Sequence, residues 1–291
     1  MISLPLDHSP ERCLDRLSFN TATVGNNQEE TLHDWPIEKL IDICAEKGFS
    51  AITFWRNDLK TGPNLVADRA KSAGLKISGL CRSPFLIGPL ASSPTKTNLE
   101  LRHSLEDAAE LGAPALTVCV GGIVPGTKGM EHSFGVLAEL LASGAEAASQ
   151  VGVRLALEPL HPMYAGSRSC VVTTKDAISL MKKINHPAMS IALDVYHIWW
   201  DQDLERSVSE IEPGKIEALH LCDWLPNTQD LLLDRGMMGD GVADLPKIRK
   251  ILYSHGFSGF EEVEIFSANN WWRQDPSTVL ETCVNRFLSA C

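Results

Sequence analysis

Four residues of metal-binding type each close a short apolar run in the second half of this 291-residue chain. Glu158 ends the run from Arg154, Asp194 that from Ser190, His220 that from Glu217, and Glu264 that from Glu261. Small and branched apolar residues that stop at a polar one suit buried strands reaching a rim. If the four strands lie parallel and adjacent, three carboxylates and one imidazole meet at a single mouth. Three oxygens and one nitrogen suit one divalent cation, Mn, Mg, Co or Zn, with Mn favoured. The same carboxylates are able to move protons. The competing reading is four unrelated rim residues that cap the helices after them. Recurrence in successive strand-like segments favours the metal.

The elements needed to hold these residues alternate along the whole chain. Strand-like segments run over 16–23, 51–55, 75–81, 115–120, 153–158, 188–194, 216–222 and 259–265. Between them apolar residues recur at helical spacing, as in Ile37, Leu40, Ile41 and Cys44. Glycines such as Gly112 and Gly256 mark helix ends, and Thr173 and Asp275 mark helix starts. Eight such units without a low-complexity linker predict an α/β fold, a single (β/α)8 TIM barrel over residues 16–291. Residues 1–15 are expected to be an N-terminal extension. A doubly wound sheet fits less well, because no Gly-rich phosphate loop follows the first strand.

A charge of −11 with no basic block disfavours nucleic acid and anionic membrane surfaces as partners. The eight cysteines are dispersed without a CxxC pair, which predicts reduced thiols and a cytoplasmic location. Residues 1–16 lack the apolar core of a signal peptide, and no stretch reaches membrane-spanning length.

Residues 155–159, 192–197, 218–223, 239–241 and 262–266 read LALEP, ALDVYH, ALHLCD, GDG and EVEIF. Together they resemble the xylose isomerase-like barrels, a group of sugar isomerases, epimerases and dehydratases related to zinc-dependent apurinic endonucleases. The resemblance implies that Glu158, Asp194, His220 and Glu264 hold the metal. It also implies that Glu158 and Glu264 exchange protons with a substrate carbon, that His197 orients the substrate, and that Arg235 holds one of its oxygens. The expected activity is a metal-dependent isomerase or epimerase acting on a sugar or related polyhydroxy carbonyl compound through an enediolate. Loss of a leaving group from that intermediate would instead make the protein a lyase or dehydratase, for instance on a 3-oxo-sugar or keto-inositol. A non-catalytic carbohydrate-binding barrel is a further alternative, opposed by the presence of both proton-transfer carboxylates. The nuclease members need extra histidines after the third and fourth strands and an Asp-x-His later. Here those positions read Cys81 to Pro84, Cys119 to Gly122 and Gly239 to Gly241, so one metal ion per chain is expected.

Arg56 and Arg82 follow the second and third strands, where they either hold substrate oxygens or pair with neighbouring carboxylates. His161, with Tyr164, either projects over the metal or packs its loop. Asp223 either orients a ligand or caps the following loop, and Asp240 between glycines fits a tight turn. All seven tryptophans fall in strand-to-helix loops or at strand ends. There they can stack on a sugar, with Trp55, Trp199 and Trp224 nearest the metal, or bury a subunit contact, with Trp271 and Trp272 reaching a partner in a homo-oligomer.

Overall fold

The computed structural model describes residues 14–28, 33 and 35–291. Most of the expected extension, residues 1–13, lies outside the described residues, as does Cys13. Eight parallel strands close into a barrel in sequence order. They are β1 (Leu17–Asn20), β2 (Ala51–Trp55), β3 (Lys76–Cys81), β4 (Ala115–Val118), β5 (Arg154–Leu157), β6 (Met189–Asp194), β7 (Ile216–Leu221) and β8 (Phe260–Val263). Closure comes from β1 on β8, with Phe19 opposite Val263.

Around the barrel lie α1 (Ile37–Glu46), α2 (Pro63–Ser72), α3 (Pro94–Leu111), α4 (Glu131–Gln150), α5 (Thr174–Ile184), α6 (Leu204–Ser209), α7 (Leu245–Ser254) and α8 (Pro276–Ala290). A one-turn helix, Val195–Ile198, directly follows β6. The predicted caps form: Thr173 accepts from the Asp176 N–H, and Asp275 from Ser277 and Thr278. Gly112 ends α3 at φ 76°, a left-handed conformation that costs glycine no Cβ clash.

Alternation along the strands sorts two populations of side chains. Phe19, Ile52, Leu116, Leu155, Leu193 and Leu219 pack in the large core between strands and helices. The small Ala115, Ala156 and Ala192 make their own cluster within the barrel. Ser18, Thr53 and Ser78 form a buried hydroxyl chain, each link 2.6 Å long. The interior is therefore small and polar, which leaves room for function at its upper end.

The first strand is shorter than the sequence pattern predicts. The Asn20 side chain accepts from the Ala22 N–H, and this local turn converts Thr21–Val24 into a 3₁₀ helix. The other predicted strands differ from the observed ones by no more than two residues at either end. All described cysteines are free thiols, six of them buried. Among the described residues no helix is long and apolar enough to cross a membrane.

Candidate metal centre and active site

Glu158, Asp194, His220 and Glu264 each place one donor atom so that all four lie within 4.8 Å of one another. Asp194 ends β6, His220 is the last but one residue of β7, and the two lie opposite each other in the β6–β7 register. Glu158 and Glu264 sit one residue past β5 and β8. All four are buried.

The hydrogen bonding within this cluster is incomplete. His220 Nδ1 lies 2.9 Å from Glu158 Oε1, yet the ring does not aim a proton at the oxygen, and neither atom has a hydrogen-bond partner. A buried donor and acceptor this close and unpaired are costly, unless a third atom between them satisfies both. Electrostatics point the same way. Burial alone would lower the His220 pKa, but Glu264, Glu158 and Glu262 reverse this and hold it well above the ordinary imidazole value. The cage thus demands positive charge, either a proton on His220 or a cation among the four donors. Three carboxylate oxygens and an imidazole nitrogen fit a divalent cation.

The carboxylates are pushed apart. Burial raises Glu158, but contact with His220 outweighs it and holds the group down at about 2. Burial lifts Glu264 to about 7, where His220 and Arg235 only partly offset it. Asp194 accepts from the Tyr196 N–H at 2.8 Å and from Arg235 Nη1 at 2.8 Å. Arg235 Nη1 also reaches Glu264 Oε2 at 3.2 Å, and its guanidinium is wedged between the rings of Tyr196 and Phe266. His197 lies 3.6 Å from Asp194 Oδ2, and burial lowers its pKa to about 4, leaving a neutral ring at neutral pH.

Above the cluster opens a cavity of about 260 Å³. Glu158, Glu264, His197, Arg235, Arg82 and Trp55 contribute to its wall. Trp55 donates its indole N–H to Asn20 and meets Phe266 edge-on. Arg56, His161 and Trp224 are not among the residues lining it. Arg56 Nε pairs with Asp107 at 2.9 Å, the alternative that its rim position left open. Trp224 is stacked on His161 at 5.1 Å and packed against Tyr196 and Trp199, which turns both rings into an aromatic cluster beside the cavity. Trp272 corrects the expectation of a partner contact, since it is buried against its own chain and donates to the Ala22 carbonyl. Asp223 caps its loop, accepting from the backbone of Trp224, Gly239, Gly241 and Ala243. Asp240 pairs with Arg286.

Two site residues escape the sequence reading. Glu262 Oε2 approaches His220 Nε2 at 3.5 Å, on the ring edge opposite Glu158. Burial raises the pKa of this carboxylate, and the neighbouring Thr53 and Ser78 hydroxyls only partly offset it. Asn20 donates to Glu264 Oε1 at 3.0 Å. Strand parity was the available signal: Glu262 lies two residues before Glu264 and so shares its inward face.

The sequence pattern of the xylose isomerase-like TIM barrel matches residues 41–283. The chain belongs to this family. Among solved structures it resembles protein SMc04130 of Sinorhizobium meliloti 1021 at 39% identity, with TM-score 0.86, over 96% of this chain and 99% of that one. A zinc-bound IolI protein shares 21% identity and TM-score 0.78, over 93% and 96% of the two chains. The 3-keto-D-glucoside 4-epimerase YcjR of E. coli shares 16% identity and TM-score 0.72, over 95% and 99%. These two likenesses establish the common xylose isomerase-like fold. Comparison with curated proteins gives no match.

Proposed function

We propose that this family member is a divalent-metal-dependent isomerase or epimerase acting on a sugar or related polyhydroxy carbonyl compound. The observation that carries the reading is the placement of Glu158 and Glu264. Both line the cavity, and both belong to the four-donor cluster. Glu158, Asp194, His220 and Glu264 would hold the cation, and Mn is favoured by the oxygen-rich donor set. A cation held there would supply Lewis acidity toward the substrate's carbonyl and neighbouring hydroxyl oxygens.

The chain's own groups account for the rest. One of the two glutamates removes the proton beside the carbonyl, giving an enediolate, and the other returns a proton. Return to the same carbon from the opposite face epimerises it, and return to the neighbouring carbon isomerises the sugar. His197, neutral and buried at the cavity wall, offers a ring nitrogen to a substrate oxygen. Arg235, fixed by Asp194 and two aromatic rings, holds Glu264 in place from behind and leaves Nε unpaired toward a further acceptor. Trp55 and Phe266 form an apolar wall suited to the C–H face of a sugar ring. Support for this class also comes from relatives of the same fold, among them the E. coli 4-epimerase and a D-allulose 3-epimerase of Methylomonas sp..

The test is metal-dependent exchange of carbon-bound hydrogen in D2O, followed by NMR over a panel of ketoses and keto acids. Deuterium should enter the carbon beside the carbonyl only when the divalent cation is present. A protein with full metal occupancy that exchanges no hydrogen in any member of the panel would be a binder, not an isomerase.

A further inference from the structure

Among the described residues, two arginines in the wall of the cavity have no carboxylate partner. Arg82 follows β3 directly, and Arg168 lies in the loop between β5 and α5. Arg82 donates only to the Ser83 carbonyl, and among the described residues neither guanidinium makes an ion pair. Both sit against one ring, Phe85, at 4.0 and 6.0 Å from its centroid. These two cations share the wall of the cavity that Glu158 and Glu264 also line.

The charge balance of the site makes them stand out further. Arg235 already serves Asp194 and Glu264. With a divalent cation also present, the charge on Glu158, Asp194 and Glu264 is matched within the cluster. Glu262 remains, but it faces His220, and among the described residues neither Arg82 nor Arg168 makes an ion pair with it.

The backbone under both residues is fixed by the same strand extension. Ser83 N–H donates to the Thr117 carbonyl, and Leu86 and Ile87 donate to Val120, which holds the segment carrying Arg82 and Phe85. On the other side Gly121 N–H donates to the Arg168 carbonyl, and Cys170 N–H donates to Gly121. A Cβ at Gly121 would lie 1.9 Å from the Ile87 carbonyl oxygen, and one at Gly122 would lie 2.4 Å from the Ser167 nitrogen. Only glycine lets the two loops close on β4 from both sides. The arginines are therefore held in place by the scaffold, an arrangement that reduces the ordering cost of binding.

We infer that Arg82 and Arg168, both set against Phe85, form a clamp for an oxyanion group, carboxylate or phosphate, on a part of the substrate other than the carbon that Glu158 and Glu264 address. This deepens the proposed function and rests on it for the identity of the substrate's other end. A guanidinium fork matches either group in a bidentate manner, whereas neutral hydroxyls leave its charge uncompensated.

The experiment is calorimetric binding to the manganese-loaded protein of three probes: D-fructose, 5-keto-D-gluconate and D-fructose 6-phosphate. At least one anionic probe should bind about tenfold or more tightly than D-fructose, as expected for charge-assisted hydrogen bonds. Which anion wins distinguishes carboxylate from phosphate. Arg82→Gln and Arg168→Gln should each cut the anionic-to-neutral affinity ratio by about fivefold or more, and Arg82→Lys should restore part of it. Thermal melts check that the variants fold, and the wild-type ratio stands independently of them. Equal affinity for all three probes, or no binding of either anion at millimolar concentration, overturns the clamp. So does an equal loss for neutral and anionic probes in folded variants. Deuterium exchange on the same samples separates the two readings. Preferential anion binding without exchange keeps the clamp and removes the isomerase. Exchange on D-fructose with no anion preference does the reverse.

Discussion

Strands β5 to β8, with the residues just past their ends, bring Glu158, Asp194, His220, Glu262 and Glu264 to the centre of the barrel. Strands β1 to β4 bring Ser18, Asn20, Thr53, Ser78 and Thr117 to the same interior. One half is charged and the other is neutral, although both are buried. Four carboxylates in so small a volume repel unless a cation or protons intervene. The neutral half cannot supply that charge, but its hydroxyls and amide can donate hydrogen bonds to carboxylates. Asn20 does so to Glu264, and the Thr53 and Ser78 hydroxyls stand beside Glu262 and favour its charged form. The comparison assigns chemistry to one half and positioning to the other.

The largest effect should come from the charged half. Glu158→Gln and Glu264→Gln keep shape and lose the ability to take up a proton. Each should lower hydrogen exchange at the substrate carbon by about 10²- to 10⁴-fold, with the circular dichroism spectrum unchanged. Exchange within a few-fold of the parent in both variants would remove them from proton transfer and leave only a ligand role.

Chelation follows in size. Four buried donors that share a cation lose its binding energy when it is withdrawn. At a free metal concentration 100-fold above its dissociation constant, removal should cost about 2.7 kcal/mol of stability. Differential scanning calorimetry with and without chelator measures this, and elemental analysis should find one ion per chain. An unchanged melting point would mean that the charged half folds around protons alone.

The four donors were legible in the sequence because each interrupts an apolar run at a strand end, where burial makes a polar residue conspicuous. The barrel was legible for a related reason, since its strands and helices carry distinct periods and clear caps. Glu262 was hidden by its neighbours. In the run Glu261 to Glu264 three residues are acidic, and only the observed parity separates Glu261, which pairs with Arg249 toward α7, from Glu262 inside the barrel. The fate of the rim arginines was not readable either. Arg56 meets Asp107 across 51 residues, and Arg168 reaches the cavity because Gly121 anchors its loop. Tertiary contacts of that kind leave no local mark. Trp224 shows the same limit: its place at a strand end suggested a sugar platform, but packing with Tyr196, Trp199 and His161 turned it elsewhere.

Glu262 lies on the boundary of the comparison, charged itself yet held by the neutral half. It lies 3.5 Å from His220 Nε2, on the ring edge opposite the Nδ1 that faces the other donors. Glu262→Gln should weaken metal binding by about 10- to 100-fold, as removal of a carboxylate behind a ligating histidine does elsewhere. Competitive titration against a chromophoric chelator reads the affinity directly. An affinity equal to the parent's would make Glu262 a structural residue of the barrel floor.

The smallest effect is expected at Ser78, and it is the most pointed test of the division. Ser78 joins Ser18 to Thr53 through two 2.6 Å hydrogen bonds and lies beside Glu262. Replacing it with alanine removes one buried hydroxyl and leaves its partners short of a donor or acceptor. A loss of about 1–2 kcal/mol in urea unfolding is expected. Thr53 still stands beside Glu262, so metal affinity should fall by less than about threefold. A drop as large as that of Glu262→Gln would mean that the hydroxyl chain sets the position of His220 as firmly as the carboxylate does. The neutral half would then belong to the metal site, and the boundary drawn between β4 and β5 would have to move.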